Sequence, residues 1–273
     1  MSLTFDTSHH ASMGARRYQE DACVFVPLRA AAPGAAEQVA SAAPLAVPAA
    51  GVIAVLADGM GGHVGGERAS TTACRGFLEA VSAIAGAASD HLLEALTAAN
   101  DAIRHETVVE PGLHGMGCTL IGAVFSGTGN TAGLRWVSVG DSRLFLFRKG
   151  KLYQLNEDHS LAPLLDELAA QGELTREQAL EHPRRHHLRS ALTGDPIELV
   201  DHADETMELL VDDCVVLASD GIDTLEPDAI ADVIDANRAR GAEAVASALI
   251  ETVDTISRPG QDNTTVMVIL VRD

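Results

Sequence analysis

Two periods of hydrophobicity alternate along this chain. Short runs of apolar residues are typical of strands, whereas apolar residues that recur every three or four positions indicate one face of a helix. The short runs predict strands within 3–28, on either side of a polar turn at 14–21, and at 51–57, 117–126, 132–139, 143–148, 151–155, 206–210, 214–219 and 264–271. The helical spacing predicts helices over 66–85, 90–108, 227–241 and 245–256, and a shorter helical pattern over 160–181.

The order of these elements indicates the fold class. Strands come in runs and the long helices come in adjacent pairs, which favours an α+β protein over a doubly wound parallel sheet. Two helix pairs that flank a mostly antiparallel sheet core would bury the apolar faces. We expect one domain over 1–273, with the Ala- and Pro-rich segment 29–50 as a surface loop.

Aspartates stand at the ends of several predicted strands. The apolar run 52–57 leads directly into Asp58-Gly59-Met60-Gly61-Gly62-His63, Asp141 and Asp220 follow later strands, and Asp262 precedes the last one. A single Asp-Gly between apolar runs usually forms only a turn. Its recurrence at several strand ends instead suggests hard oxygen ligands for divalent cations. Spacing alone leaves open whether these carboxylates meet in space.

Charge and cysteine content narrow the range of functions. The net charge of −20 over 273 residues argues against nucleic acid and anionic membrane surfaces as partners, because their phosphates would be repelled. The four cysteines form no Cys-x-x-Cys pair, so buried reduced thiols are expected. The N-terminus lacks a basic region followed by an apolar core, and no apolar run is long enough to span a bilayer. We therefore expect a cytoplasmic protein, and we take a monomer as the default oligomeric state.

The motifs together resemble one family. In order along the chain they are Gly14-x-Arg16…Glu20-Asp21, Ala57-Asp58-Gly59-Met60-Gly61-Gly62-His63, Gly115-Met116-Gly117-Cys118-Thr119-Leu120, Gly140-Asp141-Ser142-Arg143, Ala191-Leu192-Thr193-Gly194, Ser219-Asp220-Gly221 and Asp262-Asn263-Thr264-Thr265. Each motif is weak alone, but together and in this order they resemble the metal-dependent Ser/Thr protein phosphatases of type 2C, the PPM family, and especially its bacterial members.

This resemblance implies a fold and an activity. The fold is a four-layer α/β/β/α sandwich of two antiparallel sheets flanked by helix pairs, with a flap subdomain at about 158–189. The cofactors are two Mn²⁺ or Mg²⁺ ions, with a third, weaker metal in bacterial members. The reaction is hydrolysis of phosphoserine and phosphothreonine by a hydroxide that bridges the metals. Phosphorylated proteins and a Ser/Thr kinase are the implied partners.

The resemblance also assigns metal ligands. Asp58 is expected to bridge the two metals, and the backbone carbonyl of Gly59 to ligate one of them. Asp220 and Asp262 are expected to hold the other. Glu20 and Asp21 are expected in or near the ligand shell, partly through water, and Asp141 corresponds to the residue linked to the third metal. For Glu20 and Asp141, a structural salt bridge or cap remains an alternative.

Two residues are candidates for direct work on the substrate. Arg16 is the candidate phosphate clamp, because a guanidinium fork can hold two phosphoryl oxygens at once. Where some family members have a histidine after the Asp-Gly, this chain has Met60. His63 either hydrogen-bonds within its own turn or protonates the leaving group, a task that a metal-bound water could also perform. Gln19 stands where the family usually has asparagine.

Other functions remain open beside general phosphoprotein hydrolysis. One is a phosphatase dedicated to a single regulator, of the anti-sigma-factor antagonist type, for which we would expect a sensor domain beside the single domain over 1–273. Another is an inactive pseudophosphatase that serves as a binding module, which would be expected to have lost metal carboxylates. A third is a cation-stabilised interaction domain without turnover.

Overall fold

Two antiparallel sheets face each other in the structure, a computed structural model that describes residues 3–28, 46–47, 51–61, 64–83, 88–128 and 130–273. The first sheet has the order β10-β9-β13-β14-β1-β3, formed by β1 (Thr4–Ser12), β3 (Ala46–Val47), β9 (Arg143–Arg148), β10 (Lys151–Gln154), β13 (Cys214–Ala218) and β14 (Thr264–Arg272). The second has the order β11-β8-β7-β4-β2, formed by β2 (Ala22–Pro27), β4 (Val52–Ala57), β7 (Leu120–Thr128), β8 (Thr131–Val139) and β11 (Asp201–His202). A short strand β12 (Met207–Leu209) also pairs with β8, and β5 (Gly59–Met60) and β6 (Gly117–Cys118) form a separate ribbon.

A pair of helices covers the outer face of each sheet. The long helices are α1 (Val64–Ala83), α2 (Leu92–Val109), α5 (Pro227–Asn237) and α6 (Ala242–Ile256). Helices α1 and α2 pack on the second sheet, and α5 and α6 pack on the first. The predicted α+β class and four-layer architecture are therefore confirmed. None of the helices in the described ranges is both long and apolar enough to cross a bilayer.

The inner strands are apolar throughout because both of their faces are buried. In β4, Ile53 and Val55 contact the layer of α1 and α2, whereas Ala54 and Leu56 point into the core between the sheets. In β13 the same alternation divides the strand between the inter-sheet core and the layer of α5 and α6. Period-two alternation of side chains thus places successive apolar residues in two different cores. This explains why the sequence shows continuous apolar runs there.

Several predicted boundaries shift in the structure. The pattern over 160–181 forms two helices, α3 (Ala162–Ala170) and α4 (Arg176–Leu180), and a capping box between Thr175 and Gln178 starts the second. A 3₁₀ turn (Arg238–Arg240) follows α5 before Gly241, which has φ +109°. Most of the predicted loop at 29–50 lies outside the described residues, as does His63. The four cysteines are free thiols, as expected, and Cys23 is only half-buried.

Candidate metal centre and active site

Strand pairing in the second sheet brings two acidic residues together. Neighbouring antiparallel strands place the start of one beside the end of the other. Ala22 of β2 pairs with Ala57 of β4. Asp21, which precedes β2, and Asp58, which follows β4, therefore lie side by side at one edge of the sheet.

The first sheet contributes its acids in the same way. Ala218 at the end of β13 pairs with Val266 near the start of β14, and the Ser219 amide donates to the Thr265 carbonyl at 3.0 Å. Asp220 begins a 3₁₀ turn (Asp220–Thr224) just after β13, and Asp262 precedes β14. The two carboxylates consequently share one edge of this sheet.

Hydrogen bonds accepted by Asp21 join the two edges. Asp21 Oδ2 accepts from the Ser219 hydroxyl at 2.8 Å and from the Thr265 hydroxyl at 2.7 Å, so a residue of the second sheet is held by two residues of the first. The other oxygen, Oδ1, is buried and accepts no hydrogen bond within the described part of the chain. Asp220 Oδ1 is also buried, and it too accepts no hydrogen bond from the described residues. These two oxygens are available to a cation.

A cavity of about 460 Å³ opens at this junction. Of the predicted site residues, its lining includes Arg16, Glu20, Asp58, Gly59, Asp141, Asp220 and Asp262, but not Asp21. It also includes the ribbon residue Met60, then Gly61, Thr119 and Asn263, and the flap residues His186, His187 and Leu188. The structure thus gathers residues from both sheets and the flap around one opening. His63 lies outside the described residues, so its two possible roles stay predictions.

Asp58 lies at the electrostatic centre of this group. Burial raises its pKa well above the usual value, and the charges of Asp21, Asp220, Asp141 and Asp262 raise it further. Five carboxyl groups that are remote in sequence therefore act on one another in a region of low dielectric.

The pKa values of three neighbouring carboxyl groups are raised as well. Burial, followed by the charges of Asp141 and Asp262, raises the pKa of Asp220 to about 8. Burial also raises the pKa of Asp21 to about 6, against the opposing effect of its hydrogen bonds from Thr265 and Ser219. For Asp141, burial and the charge of Asp158 raise the pKa to about 6. Holding these groups ionised together is unfavourable without a nearby positive charge.

These residues fit hard divalent cations. Carboxylate and carbonyl oxygens are the ligands preferred by Mg²⁺ and Mn²⁺, and the carboxylate set contains neither thiolate nor imidazole. Within the described ranges, no three histidine, cysteine or acidic side chains already form a closed metal-binding group. The raised pKa values and the two buried oxygens nevertheless indicate that cations would lower the energy of this arrangement. The structure therefore provides a carboxylate-lined cavity rather than a finished coordination shell.

Arg16 lies beside the carboxylates, paired with Asp262. One terminal nitrogen of the guanidinium donates to Asp262 Oδ2 at 2.5 Å, and the Asn263 amide donates to Asp262 Oδ1 at 2.8 Å. A carboxylate offers about four lone-pair sites, so these two bonds leave room for a cation. The guanidinium has five donors in all, and it lines the cavity, where a phosphoryl group could reach it.

Glu20 and Gly59 lie where α1 approaches the cavity. A Cβ at Gly59 would lie 2.2 Å from the Gly66 carbonyl oxygen, and one at Gly66 would lie 2.7 Å from Glu20 Oε1. Gly59 must therefore be glycine for the helix to come this close, whereas a side chain at Gly66 would displace the Glu20 carboxylate. The Ser70 hydroxyl also donates to the Glu20 carbonyl at 2.6 Å, which ties the residue to the first turns of α1.

Asparagine and threonine side chains that carried no predicted role organise the loops. Asn263 Oδ1 accepts from the Glu20 amide at 2.8 Å, and its Nδ2 donates to the carbonyls of Met13 and Tyr18 at 3.1 and 3.0 Å. Thr119 Oγ1 accepts from the Asp58 amide at 3.0 Å. Both residues belong to recognised motifs, so position in a motif was the signal that could have identified them.

Two further positions bear on the predictions. The Gln19 side chain, which stands in place of asparagine, accepts from the Asp21 amide at 3.2 Å and so still positions the acidic residue. His186 and His187 are exposed flap residues that line the carboxylate cavity. For this pair the sequence favours solvent exposure and leaves a substrate contact open, since it gives no information about which surface the flap covers.

Comparisons with known proteins agree with this geometry. The profile of the Protein phosphatase 2C family matches residues 40–264. The Ser/Thr protein phosphatase PstP of Mycobacterium tuberculosis is 35% identical over 227 residues, which are 80% of this chain and 40% of PstP. The Ser/Thr phosphatase Stp of Listeria welshimeri is 30% identical over 223 residues, covering 80% of this chain and 83% of that protein. The chain thus spans well under half the length of PstP.

Solved structures show the same fold. A crystal structure of M. tuberculosis PstP/Ppp superposes with a TM-score of 0.75 at 29% identity, covering 99% of this chain and 100% of that one. The PstP catalytic domain in complex with two manganese ions superposes with a TM-score of 0.71 at 29% identity and the same coverage. With the sheet arrangement, the carboxylate-lined cavity and a profile match over most of its length, this chain belongs to the protein phosphatase 2C family.

Proposed function

We propose that this chain removes phosphate from phosphoserine and phosphothreonine in proteins, in a reaction that depends on Mn²⁺ or Mg²⁺ and opposes a Ser/Thr kinase. One observation supports this function above the others. Carboxyl groups from both sheets surround Asp58, and buried oxygens of Asp21 and Asp220 lack a hydrogen-bond donor within the described residues. Such a group suits cations that neutralise a phosphoryl group. The relative PstP is itself named a Ser/Thr phosphatase and has been crystallised with two manganese ions.

The residues proposed to hold the metals are those that the family motifs mark. When bound, a pair of divalent cations supplies a nucleophile at neutral pH and neutralises the phosphoryl oxygens. We propose that Asp58, at the centre of the group, would be a ligand of both. The remaining proposed ligands are the Gly59 carbonyl, Asp220, Asp262, Glu20, Asp21 and, for a weaker third ion, Asp141.

Arg16 is proposed to orient the phosphoryl group. Its guanidinium lines the cavity and is already fixed at one end by Asp262. Because the planar fork can donate two parallel hydrogen bonds, it can hold two phosphoryl oxygens while the anchoring bond remains. A lysine at this position would supply charge without that orientation.

The leaving alkoxide needs a proton, and the described part of the cavity offers few side chains that could give one. Met60 lines the opening and cannot donate. His186 and His187 reach the cavity from the flap, and water has access from the open side. His63 remains a candidate on sequence grounds alone.

Metal-dependent turnover is the direct test. The protein is assayed with p-nitrophenyl phosphate and with phosphothreonine and phosphotyrosine peptides, in Mn²⁺ and then with excess chelator. Turnover should disappear with chelator and favour phosphothreonine over phosphotyrosine. Asp58→Asn should lower kcat/KM by about two to three orders of magnitude, because it weakens the binding of the cations that would stabilise the transition-state charge. Asp232→Asn, an exposed aspartate of α5, is the matched control and should leave activity unchanged.

The other outcomes separate the alternatives. Turnover that survives the chelator would contradict metal dependence. A folded protein that binds phosphoprotein without hydrolysing it would favour a pseudophosphatase. Activity on p-nitrophenyl phosphate but on only one phosphoprotein among many would favour a dedicated regulatory phosphatase. Action in the cytoplasm as a monomer is part of the same proposal, and size-exclusion chromatography with light scattering tests the oligomeric state.

A further inference from the structure

Arg143 joins two segments that approach the carboxylate cavity from different directions. Its Nη1 donates to Asp158 at 2.8 Å, while Nη2 donates to Asp223 at 2.6 Å and Nε lies 3.2 Å from both oxygens of the same carboxylate. The side chains of Arg143 and Asp158 are 15% and 13% exposed. This is a largely buried guanidinium shared between two carboxylates, the arrangement for which arginine is better suited than lysine.

Asp158 lies at the base of the flap. Its Oδ1 accepts from the Ser160 amide at 2.8 Å. The next residue, His159, exchanges hydrogen bonds with Gly140 and accepts from the Arg189 amide at 2.8 Å, so both ends of the flap meet here. We call the two chain segments that meet here, 156–162 and 186–190, the flap stem. The flap residues that line the carboxylate cavity belong to or adjoin this stem. The position of the stem therefore decides where those residues stand.

Asp223 belongs to the turn that begins with Asp220. This turn is fixed on its other side by Gln261, whose Oε1 accepts from Thr224 Oγ1 at 2.5 Å and whose Nε2 donates to the Gly221 carbonyl at 3.1 Å. Asp262, another proposed metal ligand, is the residue after Gln261 in the chain. The partner of Arg143 thus sits in the same short turn as a proposed metal ligand, and Arg143 itself stands two residues after Asp141.

We propose that Arg143 is a positioning residue that couples the flap to the turn Asp220–Thr224, called here the metal-bearing turn because it contains the proposed ligand Asp220. Holding Asp158 and Asp223 at once fixes the flap stem relative to Asp220, so a change at the metal centre is transmitted to the flap. Cutting either bond separates the two segments. The inference rests on the proposed function only in requiring that the carboxylates around Asp58 bind divalent cations.

Arg185 provides a matched control inside the flap. Its guanidinium donates to both oxygens of Asp166 at 2.8 and 2.9 Å, and its side chain is 16% exposed, close to the value for Arg143. This pair, however, lies wholly within the flap. Arg143→Lys and Arg185→Lys therefore make the same chemical change to equally buried guanidinium groups, although the partner Asp166 is 54% exposed and Asp158 only 13%. Only the first pair reaches the metal-bearing turn.

The test combines Mn²⁺ titration calorimetry with amide hydrogen exchange of the full chain. In the wild type, Mn²⁺ should slow exchange in the peptides that contain the flap stem, 156–162 and 186–190. Arg143→Lys should remove this response and weaken Mn²⁺ binding by roughly tenfold or more, as changes outside the ligand shell typically do. Arg185→Lys should retain the response and bind Mn²⁺ within about twofold of the wild type.

Each other result counts against the coupling. It is refuted if Arg143→Lys behaves like Arg185→Lys, or if Mn²⁺ binds the wild type without altering exchange in the stem. If Arg143→Lys does not fold, Asp158→Asn replaces it, because this change cuts the flap bond and leaves Asp223 paired. It should abolish the stem response while Mn²⁺ still binds. A wild type that does not bind Mn²⁺ at all would instead overturn the proposed function, and the coupling with it.

Discussion

Replacing Asp220 with asparagine should stabilise the metal-free protein at neutral pH, although it should impair metal binding. The pKa of Asp220 is raised from an ordinary value of 3.8 to about 8 by burial and by the charges of Asp141, Asp262, Asp21 and Asp223. An asparagine has almost the same shape and carries no charge. The substitution therefore removes a carboxyl group that the metal-free fold holds unfavourably.

The direction and size of the effect follow from proton linkage. Below about pH 4 the Asp220 carboxyl is protonated in both the folded and the unfolded chain, so it does not lower the free energy of unfolding there. As pH rises toward 8, the unfolded chain releases the proton and the folded chain keeps it. Stability is therefore lost at about 1.4 kcal/mol per pH unit. Between pH 5 and pH 7 the wild type should lose roughly 3 kcal/mol that the asparagine variant does not lose. At about 2 °C per kcal/mol for a chain of this size, the difference is about 6 °C in Tm.

Thermal unfolding followed by circular dichroism at pH 5, 6 and 7 in excess chelator measures this difference. Asp21 and Asp141, whose pKa values are also raised, add a decline of the same sign to both proteins, so only the difference between wild type and Asp220→Asn is interpreted. Asp232→Asn is again the exposed control and should follow the wild type. Adding Mn²⁺ should then raise the Tm of the wild type more than that of Asp220→Asn, because a ligand stabilises only the state that binds it.

Two results would refute the reasoning. One is a decline of Tm with pH that is equal in wild type and Asp220→Asn. The other is a steeper decline in the variant. Either result would mean that neither burial nor the neighbouring carboxylates disfavour ionised Asp220 in the folded chain, and the electrostatic basis for the metal centre would be lost.

Three further substitutions test other parts of the structure. Gly122→Ala would place a methyl group 2.2 Å from a buried phenylalanine ring of α1, so urea unfolding should show a loss of about 1–3 kcal/mol, and an unchanged midpoint would contradict the packing. Asp213→Ala leaves the Arg148 guanidinium without the carboxylate that accepts from it at 2.6 and 2.9 Å, which should lower the free energy of unfolding by about 3 kcal/mol, whereas a loss below 1 kcal/mol would show the pair to be unimportant. His186→Ala should raise KM for a phosphopeptide roughly fivefold, the value of about one hydrogen bond, while kcat/KM for p-nitrophenyl phosphate stays within twofold. The flap variant His182→Ala is its control, and equal effects of the two on the phosphopeptide would argue against a substrate contact by His186.

Much of the architecture could be read from local patterns. The apolar runs at β4 and β13 predicted strands because a strand buried on both faces needs apolar residues at every position. Helical periodicity predicted α2 and α6 closely, and the pairing of helices indicated the α+β class. The boundaries that shifted, such as the division of 160–181 into α3 and α4, depend on capping and on contacts with other segments, which periodicity does not report.

The apolar runs marked four aspartates of the candidate site at strand ends, and the resemblance to the type 2C family supplied the other candidate residues. Periodicity could not show that these residues lie close together in the folded chain. Asp21 and Asp58 meet because β2 and β4 are antiparallel neighbours, and Asp21 reaches Ser219 because the two sheets pack face to face. Both facts are properties of strand pairing between segments remote in sequence.

Partner choice among charged side chains was decided by the tertiary structure alone. The sequence determined the strand ends, the helical faces and the acidic residues beside them, because those depend on a few neighbouring positions. It could not show that Arg16 pairs with Asp262, that His186 faces the cavity, or that Arg143 binds carboxylates 15 and 80 positions away. A guanidinium can bind any carboxylate within reach, and only the packed chain brings particular ones within 3 Å.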